Sequence, residues 1–176
     1  AAIKALTTEQ MSSLQQTQLQ AINSAGIQAL STAQIDSLTT DQISKLTVDQ
    51  VSYLKSTQVA SIATEDLVNL TTAQLGALST VGVRALTTAQ IVALDTNQIA
   101  GFTDVQVAAM STAQISALET DDLVKMTNEQ IAAIAPAAVA ALSTDQVSSL
   151  TTGQLSSLTS AQVVKLTTAQ VVSLTT

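Results

Sequence analysis

The sequence predicts an all-α solenoid: a superhelix of 22 short helices, one per octapeptide repeat, around a thin aliphatic core. Three observations predict it. An eight-residue repeat runs the whole chain without a slip, from Leu6, Leu14 and Ile22 to Leu158, Leu166 and Leu174. A second apolar residue stands three places before each of these, from Ile3, Met11 and Leu19 to Val163 and Val171. A Thr or Ser followed three residues later by Gln recurs in one register, thirteen times in all. The unit reads T-T-x-Q-(I/V)-x-x-L.

Two other backbones fail on geometry. In a strand, side chains alternate faces with period two. Apolar residues spaced three and five apart would point to opposite faces. In one continuous helix, eight residues advance about 80° past two whole turns. The apolar stripe would then wind around the helix and face no single partner.

A short helix within each octad satisfies both spacings, and four kinds of residue place its start at the same spot. Thr7/Gln10, Ser31/Gln34, Thr39/Gln42, Thr87/Gln90 and Ser143/Gln146 have the capping-box pattern. In that pattern the hydroxyl caps a free amide and Gln reaches back to the cap N–H. The only proline, Pro136, falls at the first helical position, where its missing N–H has no intrahelical partner. Glu9, Asp41, Asp49, Glu65, Asp121, Glu129 and Asp145 occupy the second. Lys45, Lys125 and Lys165 precede the closing apolar residue, so acids and bases both complement the helix dipole.

Each helix is then about seven residues and on the order of 10 Å long, too short to be stable alone. Its apolar pair must pack on neighbouring helices. The Thr after each Leu leaves one helix and caps the next, so the chain bends at every octad by a similar angle. Identical bends generate a coil, with three to four octads per turn. The molecule should be far shorter than the roughly 260 Å of one continuous helix.

Composition bounds the chemistry. The chain of 176 residues is 46% apolar but only 1% aromatic, so its core is built from many small aliphatic layers. It holds no Cys and no His, which excludes disulfides, thiolate chemistry, Cys/His zinc sites and histidine acid–base catalysis. A net charge of −7 with six scattered cations disfavours nucleic acid, whose phosphates need clustered Lys and Arg. No apolar run reaches the ~18 residues of a membrane span. The chain forms a single domain over residues 1–176. It begins within an octad and ends at Thr175-Thr176, so it reads as a segment of a longer array.

Function, if local, lies in departures from the repeat. Gly26, Gly82 and Ala138 replace the Gln at intervals of seven octads, and Asp66 and Asp122 replace it at the same interval. Duplication of a seven-octad block explains this spacing; the alternative is that seven octads close a whole number of superhelical turns. Glu65-Asp66 and Asp121-Asp122, with Glu119, are the acidic clusters. Calcium would need several converging oxygens, and the helix start already accounts for acids there. Met110, Met126 and Phe102 occupy core slots, while Tyr53 is expected to face outward. No residue is assigned a catalytic, cofactor-binding or metal-binding role, and no cofactor is expected.

The octads, for example Leu38-Thr39-Thr40-Asp41-Gln42-Ile43 and Leu86-Thr87-Thr88-Ala89-Gln90-Ile91, resemble the tandem LTTxQ-type repeats of large bacterial secreted or cell-surface proteins. The resemblance covers the whole chain and implies adhesion or surface display. A non-catalytic structural module is therefore expected: a spacer, stalk or filament-forming segment. Two alternatives stand beside it. Thr-Thr pairs such as Thr7-Thr8 and Thr151-Thr152 could present ordered hydroxyls to ice or a carbohydrate. A concave helical groove could take a peptide, although aromatic and Arg anchors are missing. Terminal octads look like internal ones, so head-to-tail association through the exposed ends is also expected.

Overall fold

The computed structural model describes residues 2–174. Among them are 21 short α-helices and one 3-10 helix, Ala2–Ala5, which together supply one helix per octad, and no strand. The expected all-α solenoid of short helices is what the chain forms. The helices run four to six residues, shorter than the expected seven. Their last turn tightens to an i→i−3 bond, as in Leu86 N–H to the Val83 carbonyl at 3.1 Å, the usual way a short helix closes.

The bend between octads is made by the closing Leu and the Thr that follows it. Leu86 sits at φ −57°, ψ 134° and Thr87 at φ −73°, ψ 159°, both in the extended region open to any L-residue. No described residue adopts a positive φ, so the corner needs no glycine. At Ala135 the same corner has φ −58° and ψ 137°, the extended backbone that a following proline requires. Pro136 then opens its helix without loss of a bond, as the sequence implies.

Successive corners stack the helices three octads apart. Thr80–Ala85 packs on Ser56–Ala60 below it and Asp104–Ala109 above it, and this pairing repeats along the chain. Both apolar positions of the octad face the axis. The β-branched position is at most 1% exposed from Ile27 to Val147, and the Leu position is nearly as buried from Leu30 to Leu150. These side chains form one continuous hydrophobic core. Phe102, Met110 and Met126 fill Leu slots in it, as expected.

One local expectation changes. Tyr53, expected to face outward, is half-buried with its ring packed on the core, because a large ring gains more from apolar contact than from water. Gly101 serves close approach between turns: a Cβ there would lie 2.8 Å from the Thr72 Cβ on the helix below.

Truncating the core should cost far more than truncating the outer face. Ile91→Ala, at a position 0% exposed, should destabilise by about 2–5 kcal/mol. Val92→Ala, 51% exposed, should change stability by less than about 0.5 kcal/mol. Urea unfolding of the two variants checks this.

Candidate functional site

The chemistry-bearing groups of this chain converge on one repeated arrangement, the glutamine of each octad. All thirteen Ser/Thr-x-x-Gln units form complete capping boxes. In the octad of Gln114, the Ser111 hydroxyl accepts the Gln114 backbone N–H at 3.3 Å. The Gln114 Oε1 in turn accepts the Ser111 N–H at 2.8 Å. That half of the amide was legible in the sequence.

The other half reaches a different turn. Gln114 Nε2 donates to the Leu86 carbonyl at 2.7 Å and the Val83 carbonyl at 2.8 Å, 28 and 31 residues earlier. Paired donations recur down the chain, the second acceptor lying 30 or 31 residues earlier. Fourteen glutamines, from Gln34 to Gln170, donate to the carbonyl of the Leu-position residue 28 places before them. Thirteen of these bonds span 2.6–2.9 Å; the fourteenth joins Gln130 to Phe102. The same fourteen are the buried glutamines among the described residues. Their carboxamides therefore form a ladder between turns, each bond joining residues 28 apart in sequence, while the helices that stack on one another lie three octads apart. This lies within the expected three to four.

Where the glutamine is replaced, the ladder is interrupted. Asp66 accepts the Thr40 hydroxyl at 2.6 Å, and Asp122 accepts the Glu119 N–H at 2.9 Å. A carboxylate has no N–H to donate, so the Leu38 and Leu94 carbonyls accept no cross-turn bond among the described residues. Gly82 and Ala138 leave the Leu54 and Met110 carbonyls in the same condition.

The remaining surface offers little for chemistry. No group of three or more acidic side chains converges to hold a metal among the described residues. An open hollow of about 450 Å³ lies at the N-terminal end against Ile3, Gln18, Ile22 and Gly26. The first Thr of each Thr-Thr pair is committed to its cap, as Thr87 is to the Gln90 N–H at 3.1 Å. No helix is long and apolar enough to cross a membrane among the described residues.

Removing one rung should expose its importance. Gln114→Met keeps size and flexibility but leaves the Ser111 N–H and the Leu86 carbonyl without partners. It should cost roughly 2–6 kcal/mol, at about 1–3 kcal/mol for each buried group left unpaired. Gln10→Met, at an exposed position with no cross-turn bond, should cost no more than about 1 kcal/mol. Ala138→Gln should raise the unfolding midpoint by restoring a rung. Thermal and urea unfolding of the three variants measure these effects.

Comparison with known families gives a consistent result. The model of the ALTTAQ repeat matches residues 11–48, 59–96, 91–120 and 115–152. No curated protein matches the chain. With its octads matched over most of the length and its coil built from them, the chain belongs to the ALTTAQ repeat family.

Proposed function

We propose that this chain is a non-catalytic structural module: a spacer, stalk or filament-forming segment of a larger surface or secreted protein. One observation carries the proposal. The glutamine ladder ties each turn to the one below by the same bonds, so length is gained turn by turn with an unchanged cross-section. Most octads use their Ser or Thr cap, Gln and apolar pair for that purpose, and the outward positions hold mostly Ser, Ala and Thr. Such a surface keeps a rod solvated without creating a specific patch. Catalysis has no group set aside for it: the side chains of the ladder are bonded to backbone, and every acid but Asp36 sits at a helix start. Six cations scattered among thirteen acids do not suit nucleic acid.

With stacked helices three octads apart, the 22 octads of this chain make roughly six to seven turns. At the about 8–10 Å between packed helices, they build a rod roughly 50–70 Å long. A spacer of this construction lengthens linearly with sequence. Inserting one further seven-octad block, roughly two turns, should lengthen the rod by about 16–23 Å at constant cross-section. Small-angle X-ray scattering on the monomer reads both quantities. Thickening instead of lengthening would reject the spacer reading.

A further inference from the structure

The rungs of the ladder are not evenly spread. Four successive octads from Gln34 to Gln58 each supply one, as do four from Gln90 to Gln114 and four from Gln146 to Gln170. Between these runs lie two stretches of three octads with one rung each. Asp66 and Gly82 flank Gln74 in the first, and Asp122 and Ala138 flank Gln130 in the second. Gln74 donates to the Leu46 carbonyl at 2.6 Å, and Gln130 donates to that of Phe102. Asp66 also reaches down, accepting the Thr40 hydroxyl at 2.6 Å, but Thr40 is exposed and water competes for that bond. The same two stretches lose helix caps. Ala63 and Ala135 have no capping side chain to offer the helices they precede, Thr64–Leu67 and Pro136–Val139, which are four residues long.

We propose that the coil opens first at these two interior joints, where residues 66–82 sit on residues 38–54 and residues 122–138 sit on residues 94–110. The rod then flexes as three units, each held by its own run of four rungs. This rests on the reading of the chain as a structural rod and gives that rod its points of flexure. In a solenoid each layer touches only its neighbours, so an opening starts at the weakest interface and leaves the others intact. An interface with four rungs parts only when four carboxamide bridges break; a joint parts when one does. The apolar core does not set the joints apart. The first apolar position of the octad is at most 1% exposed from Ile27 to Val147, through joints and runs alike. The difference lies in the rungs and caps.

Exchange rates of the glutamine Nε2 protons, compared rung by rung by NMR on the 176-residue chain, test the proposal. A proton held between turns exchanges when those turns part. The Nε2 protons of Gln74 and Gln130 should exchange at least about tenfold faster than those of Gln98 and Gln106. Asp122→Gln with Ala138→Gln completes the second joint, chosen because Gly82 at the first packs close on Val59. It should slow Gln130 to the rate of Gln98 and leave Gln74 fast. Gln98→Ala with Gln114→Ala makes Gln106 a lone rung within the central run, and its exchange should rise to that of Gln74. Equal exchange at Gln74, Gln98, Gln106 and Gln130 in the parent would overturn the proposal. So would a Gln106 indifferent to the loss of its two neighbours, or a Gln130 that stays fast in a repaired chain of unchanged helical content. None of these results touches the spacer reading, which the length of the monomer tests.

Discussion

A primary carboxamide has one carbonyl and one NH2 group, and this fold depends on using both in every rung. A helix of about five residues has nearly all of its backbone polar groups at its termini, where no intrahelical partner exists. Stacking such helices in a coil buries those groups between turns, where an unpaired one costs ~1–3 kcal/mol. The glutamine meets both demands at once. Its carbonyl accepts the cap N–H of its own helix, and its NH2 donates to the carbonyls that end the helix one turn below, as Gln114 does to Val83 and Leu86. Glutamate could meet the first demand alone, and asparagine is one methylene shorter. The apolar pair then supplies the burial that holds the turns together.

This division of labour explains the repeat residue by residue. The first Thr caps, Gln bridges, Ile or Val and Leu fill the axis, and Leu with the next Thr makes the corner. Only the outward positions are free to vary. They hold Asp36, Gln20, Arg84 and Val92 without effect on the backbone, because their side chains leave the core untouched. Interior departures fall at the bridging position, where Asp66, Gly82, Asp122 and Ala138 each forgo a rung while their neighbours keep theirs, and at the cap, where Lys55, Ala63, Asp95, Glu119 and Ala135 replace Thr or Ser. A coil with fourteen rungs tolerates such gaps, since stability in a solenoid is shared among near-neighbour contacts.

Much of the fold was legible in the sequence because local chemistry sets it. Thr7, Glu9 and Pro136 mark helix starts through groups within one turn, and the i,i+3 apolar pair names the core. The helices proved shorter than the octad spacing suggests because Leu30, Leu86 and their equivalents leave the helical region. The far end of each glutamine was beyond sequence reading. Its partner lies three and a half octads away, and in a uniform repeat every octad is an equally good candidate. The turn number was open for the same reason, within the limits that helix packing allowed. Tyr53 was misplaced because its octad position is outward, while its ring is long enough to reach back to the core.

The central claim is that glutamine carboxamides join the turns, and the exchange of their Nε2 protons measured by NMR tests it most directly. Protons held between turns exchange only when the turns open. The account predicts strong protection for the fourteen glutamines of the ladder, Gln34 to Gln170, and none for the Nε2 protons of Gln10 and Gln18, which sit in the same capping box without a turn below. Equal, rapid exchange at Gln10 and Gln114 would contradict it: the turns would then be held by the aliphatic core alone, and the glutamine would be no more than a cap.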